Sequence, residues 1–122
     1  MSNQMYRQQM LDHYKNPRNE GEMDNPTHTS ELENISCGDE IKVYLRVKDD
    51  KLSDIKFQGK GCAICLASAS MTFEDIKGKT LDYISKLDIS NVEKLIGIEL
   101  SPSRKKCAHL GLLTVQNAIN NK

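Results

Sequence analysis

Five side chains in this sequence have the chemistry to hold a soft metal or to carry sulfur: Cys37, Asp39, Cys62, Cys65 and Cys107. Thiolates are ligands for zinc, Cu(I) and iron–sulfur clusters, and a tetrahedral site takes about four donors. In Cys37-Gly38-Asp39 a carboxylate stands two residues from a thiol with a glycine between them, so both can reach one ion. Asp39 is then the hard, weaker donor among soft ones, a mixture that suits release better than permanent storage. Each residue taken alone has a plainer reading: a small buried apolar side chain for a cysteine, a turn or surface carboxylate for Asp39. Structural zinc sites usually show two close Cys pairs, whereas here only Cys62 and Cys65 are close. Cys62-Ala63-Ile64-Cys65 also has the spacing of a redox dithiol, without the surrounding pattern of a thioredoxin-like unit.

The elements that must position these residues are legible in the periodicity. Strict alternation over 40–48, with Ile41, Val43, Leu45 and Val47 on one face, reads as a half-buried strand beginning just after Cys37-Gly38-Asp39. Asp49-Asp50-Lys51 is a turn, and 53–58 returns with Ile55 and Phe57 inward, giving a hairpin within a small antiparallel sheet. After Gly59-Lys60-Gly61 the period becomes helical over 62–76, in a stretch whose Ala67, Ser68, Ala69 and Ser70 permit close packing. Short helices are expected near 81–85 and 90–95. A last helix from about residue 104 carries Cys107 in its first turn and frays over 120–122. At the other end 4–15 reads as a helix stopped by Asn16-Pro17, and 18–33 as a polar loop with a short strand near its end. The class is α+β. Helix N-termini favour a thiolate over a thiol, so Cys62 and Cys107 are both expected in settings that activate sulfur.

With 122 residues, 38% of them apolar, the chain fits one domain, 1–122, with a modest core. Seventeen basic residues balance seventeen acidic ones, which gives no reason to expect nucleic acid. No stretch approaches the roughly 18 apolar residues needed to cross a bilayer. The N-terminal residues lack the apolar core of a signal peptide, so a cytoplasmic location with reduced thiols is expected.

Four blocks, with their spacing, resemble the NifU/IscU-type iron–sulfur scaffold family over nearly the whole chain. They are His13-Tyr14-Lys15-Asn16-Pro17-Arg18-Asn19; Cys37-Gly38-Asp39; Gly61-Cys62-Ala63-Ile64 followed by Ala67-Ser68-Ala69-Ser70; and Cys107 opening the final helix. The resemblance implies a small three-stranded antiparallel sheet packed against several helices, with a long C-terminal helix. It implies that Cys37, Asp39, Cys62 and Cys107 hold iron, zinc in the cluster-free state, or a 2Fe–2S or related cluster. It further implies that Cys107 first accepts persulfide sulfur from a PLP-dependent cysteine desulfurase, and that acceptor proteins receive the cluster.

The chain departs from the IscU-type branch in having Lys106, not histidine, before its last cysteine. Lysine there and the Ala67-Ser68-Ala69-Ser70-Met71 run are similar to the SufU-type branch, whose members often act as zinc-dependent sulfur-transfer partners of a desulfurase. That branch usually carries an insertion before the last cysteine, whereas only 44 residues lie between Cys62 and Cys107 here. Glu99-Leu100-Ser101-Pro102-Ser103-Arg104 stands where the IscU type carries a motif read by a dedicated Hsp70 chaperone, which argues against that partnership. Lys106 is either a modulator that lowers the Cys107 pKa or a solvated member of the basic run Arg104-Lys105-Lys106. Cys65 is not a position the family uses; it is a buried small residue or a spare thiol for sulfur relay. His13, His28 and His109 read as structural or surface residues. A scaffold, a zinc-dependent sulfurtransferase and a binding module with structural zinc all remain open at this level.

Overall fold

Alternation and burial agree best in β2 (Asp39–Lys48) and β3 (Lys51–Lys60) of the computed structural model, which describes residues 2–120, with side chains from residue 4. Ile41, Val43, Leu45, Ile55 and Phe57 are buried, and the antiparallel register sets Val43 opposite Phe57 and Leu45 opposite Ile55. Asp49 and Asp50, at φ 55° and 61°, supply the two left-handed positions that a tight hairpin turn needs. β1 (His28–Asn34) adds the third strand in the order β1-β2-β3, antiparallel to β2.

The polar stretch before Glu33 therefore holds a longer strand than the short one expected. Its alternation is muted because Ser30 and Asn34 share the inward-leaning positions with Leu32. Ser30 Oγ meets Asn117 Nδ2 of the last helix at 2.6 Å, a polar contact where hydropathy finds no signal.

Five helices complete the architecture among the described residues: α1 (Ser2–Lys15), α2 (Ala63–Ile76), α3 (Leu81–Ser85), α4 (Ile89–Ile96) and α5 (Pro102–Asn120). The small residues of α2 allow the close approach expected of them. A Cβ on Gly111 of α5 would lie 3.0 Å from Cβ of Ala69, so the two helices meet almost backbone to backbone there. Phe73 of α2 stands edge-on to Phe57 of β3 at 5.1 Å between centroids, joining α2 to the sheet. On its other side Ala67 and Met71 pack with Met10 of α1 and with Val92 and Ile96 of α4. The sheet with helices on it is the α+β arrangement the periodicity implied. Residues 121 and 122, where fraying was expected, lie outside the described residues. No helix among the described residues is long and apolar enough to cross a membrane.

Candidate metal centre

Two chain reversals and the first part of α5 converge at one end of the sheet. Between β1 and β2 the chain turns through Cys37 and Gly38, whose N–H groups both donate to the Asn34 carbonyl, at 3.2 and 2.9 Å. Gly38 takes φ +73°, a conformation glycine adopts without a Cβ penalty. Asp39 follows as the first residue of β2 and is fully buried. The register Glu40 opposite Lys60 brings the end of β3 alongside, so Gly61 and Cys62 face Asp39.

Gly61 is a functional position that the search for donors overlooks. Its φ is +154°, and a Cβ there would lie 2.4 Å from Asp39 Oδ1. The sequence signal was available: a glycine directly before a helix-capping cysteine. Without a side chain at 61, the Cys62 N–H reaches Asp39 Oδ1 at 3.0 Å. Cys62 is the N-cap of α2, and its sulfur accepts the Cys65 N–H at 3.4 Å.

Cys107 arrives from α5, two residues further into the helix than expected. α5 begins at Pro102, so Cys107 is its sixth residue and makes a helical S–H contact to the Ser103 carbonyl at 3.7 Å. Its Sγ lies 3.3 Å from Cys37 Sγ. Donor atoms of Cys37, Asp39 and Cys107 all lie within 4.8 Å of one another. Two sulfurs bound to one tetrahedral zinc at about 2.3 Å each stand about 3.8 Å apart, so this pair needs only a small spreading to clasp an ion. Cys62 stands at the rim, tied to the group through Asp39, and is not a member of that threesome. Cys37 and Cys62 are exposed, whereas Cys65 and Cys107 are buried.

The donor chemistry fits a cation. Asp39 Oδ1 is engaged by the Cys62 N–H, while Oδ2 is buried with no hydrogen-bond partner. A buried carboxyl oxygen left unmet is costly, and a metal ion is the partner that removes the cost. Asn34 Nδ2, Ser68 Oγ and Thr72 Oγ1 are also buried and unpartnered, but they belong to neutral groups, and none is in the donor group with the two thiols.

The electrostatics correct one expectation. Burial pushes the Cys107 thiol well above its ordinary range, and the contacts with Cys37 and Asp39 push the same way. Lys106 is exposed and does not offset that burial. The helix terminus does not help either, since Cys107 lies beyond the first turn, where the dipole effect fades. Burial raises Cys65 too, reinforced by Asp39, Cys62 and Cys37. A cation bound beside Cys107 would oppose that rise by favouring its thiolate.

A family model described as the NifU-like N-terminal domain matches residues 5–121. The chain belongs to the NifU-like N-terminal domain family. Within it, the chain is 35% identical to the zinc-dependent sulfurtransferase SufU of Bacillus subtilis, over 94% of this chain and 89% of that protein. It is 36% identical to the iron–sulfur cluster assembly scaffold protein IscU 1 of Archaeoglobus fulgidus, over 94% of this chain and 74% of that one. The crystal structure of a putative iron–sulfur cluster assembly scaffold protein for the SUF system, from Fervidobacterium islandicum, superposes with a TM-score of 0.78. That structure is 29% identical and covers 98% of this chain and 100% of its own. Both branches whose features the sequence combines are thus among the relatives of this NifU-like domain.

Proposed function

We propose that this NifU-like domain assembles an iron–sulfur cluster from persulfide sulfur and iron and passes it to acceptor proteins. A PLP-dependent cysteine desulfurase supplies the sulfur, Cys107 accepts it, and Cys37, Asp39, Cys62 and Cys107 hold the iron and then a 2Fe–2S or related cluster. The observation that carries this reading is the unmet, fully buried Oδ2 of Asp39, on a carboxylate that shares one donor group with the Cys37 and Cys107 thiols. Three donors converge, and exposed Cys62, tied to Asp39 through its N–H, is the fourth in this reading. A half-assembled donor set of this kind can take in iron and release a cluster without unfolding. Cys107 is only 5% exposed, so a donor persulfide reaches it through the open edge beside Cys37.

A second reading is favoured by the compactness of the donor group and by the zinc-dependent relative. Donors within 4.8 Å suit a single ion, and zinc held there makes the domain a sulfurtransferase partner of its desulfurase.

Anaerobic incubation with desulfurase, L-cysteine and ferrous iron separates the two. Visible charge-transfer absorption that disappears in Cys107→Ser is the scaffold outcome. Zinc-loaded protein that speeds the desulfurase yet stays colourless with iron is the sulfurtransferase outcome. Sulfur transfer unchanged in Cys107→Ser would sink both assignments of that residue.

A further inference from the structure

Four cysteines surround the centre, and the geometry sorts them into two pairs. Cys37 and Cys107 stand sulfur to sulfur at 3.3 Å and share the metal donor group with Asp39. Cys62 and Cys65 form the other pair, and neither belongs to that group. Cys62 caps α2 from extended backbone, φ −72° and ψ 166°, and Cys65 occupies the third helical position, its N–H held on Cys62 Sγ at 3.4 Å. N-cap and third position are one turn apart, which brings their Cα atoms within the roughly 4.4–6.8 Å that a disulfide spans.

The pair is also asymmetric. Cys62 is exposed, so a sulfur donor can meet it; Cys65 is fully buried against the sheet, so no donor or solvent thiol can. Among the described residues, the exposed thiol within one helical turn of Cys65 is Cys62. An exposed sulfur backed by a buried one at helical spacing is the layout in which the second resolves what the first has accepted.

We propose that Cys62 and Cys65 are a resolving dithiol that converts persulfide sulfur to hydrogen sulfide within this domain. The inference deepens the proposed function and rests on its premise that sulfur arrives as persulfide, placed on Cys62 directly or by exchange from Cys107. The Cys65 sulfur attacks Cys62 Sγ. The bond from Sγ to the terminal sulfur breaks, a Cys62–Cys65 disulfide forms, and the terminal sulfur leaves as H2S carrying the Cys65 proton. Cys65 sulfur is oxidised and the terminal sulfur is reduced, so this step needs no outside electrons. Restoring the pair takes two electrons from a dithiol reductant, for which dithiothreitol serves in the test. Persulfide sulfur lies above the oxidation level of cluster sulfide, and Cys65 makes up that difference while Cys37, Asp39 and Cys107 remain available to iron.

Trypsin cleaves after Lys60 and Lys77, so both sulfurs leave in one peptide, 61–77. Reduced, desalted full-length protein is loaded anaerobically in two ways, with desulfurase plus L-cysteine and with inorganic polysulfide. Released sulfide is assayed and the alkylated peptide is weighed without reductant. Wild type is expected to release sulfide and to yield the peptide with two hydrogens fewer, a form that dithiothreitol reverses. Cys65→Ala is expected to lose that form and to keep one extra sulfur on Cys62. The dithiol is overturned if polysulfide-treated wild type keeps the extra sulfur or joins this peptide to Cys37 or Cys107. It is equally overturned if Cys65→Ala holds no more sulfur on the peptide than wild type does. The wild-type disulfide is read without any variant, so a poorly folding Cys65→Ala does not blunt the test. Loading by polysulfide but never by desulfurase defeats the proposed function and leaves the dithiol standing.

Discussion

α2 borders two buried polar sites, and they differ in how completely the fold satisfies them. In its second half Ser70 is fully buried, yet its hydroxyl accepts the Arg18 N–H at 2.9 Å and meets His13 Nδ1 at 2.8 Å. At its N-terminus Asp39 is equally buried, and one of its oxygens has no partner. The first arrangement is complete and ties the end of α1 and the chain after Pro17 onto α2. The second is held open by two glycines with positive φ and by a turn that leaves Cys37 and Cys62 facing outward. A satisfied network fixes a structure, whereas a half-satisfied one sets aside binding capacity for something that arrives later. The unmet group that distinguishes the proposed site is a carboxylate grouped with two thiols, where Ser68 and Thr72 of the same helix leave only neutral hydroxyls unmet.

The sharpest way to break the comparison is to fill the space that keeps the open site open. Gly61→Ala sets a Cβ 2.4 Å from Asp39 Oδ1 and forces a side chain onto φ +154°. Strain and overlap together should cost about 3 kcal/mol or more, read by urea unfolding, with loss of zinc binding in a chelator competition. A variant that folds and binds zinc like wild type would mean that Asp39 is not held as described.

Asp39→Asn asks whether the unmet oxygen carries the cost attributed to it. Asparagine keeps Oδ1 for the Cys62 N–H and replaces the orphan oxygen by an amide donor in a group that holds two sulfurs. Metal-free protein should gain stability, on the order of 1–3 kcal/mol. Zinc affinity should fall by about tenfold or more, since even outer partners of a metal site are worth that much. Equal destabilisation with and without zinc would place Asp39 with Ser70, as a structural group.

How much of this the sequence revealed depends on the kind of signal. β2 and β3 were legible because their periodicity is carried by large apolar residues with one buried face, Ile41 and Phe57 among them, and α2 because the period changes after Gly61. β1 was only glimpsed because it docks on α5 through Ser30 and Asn117, and a polar docking leaves no hydropathic trace. The spacing of the cysteines suggested a site, and the fold brings Cys37, Asp39 and Cys107 together. Its inner ranking was hidden. Cys107 is buried on α5, and placing that helix's start at residue 104 rather than Pro102 put Cys107 two residues too near the helix N-terminus. The His13 block was recognisable only as part of a resemblance, since its contact with Ser70 joins residues 57 apart in the chain.

The smallest expected effect comes from that satisfied network, and it has a sign. With its oxygen engaged by the Arg18 N–H, the Ser70 hydroxyl is free to donate to His13 Nδ1, which assigns the proton of the neutral ring to Nε2. Burial holds the His13 pKa below its ordinary value, Arg18 acts the same way, and Asp12 and Glu74 oppose them only in part. The unfolded chain, with histidine near 6.5, therefore takes up the proton first. The stability contributed by neutral His13 is fully present above that value, is lost as pH falls through the lower folded pKa, and levels off beneath it. Wild type should lose more stability between pH 7.5 and 5.5 than His13→Gln, whose amide can still meet Ser70 but does not titrate. His109 is lowered by burial as well and remains in both proteins, so the difference between the two urea titrations isolates His13. Parallel curves would show that the ring is already free to ionise in the fold, and the satisfied half of the comparison would then be as open as the half around Asp39.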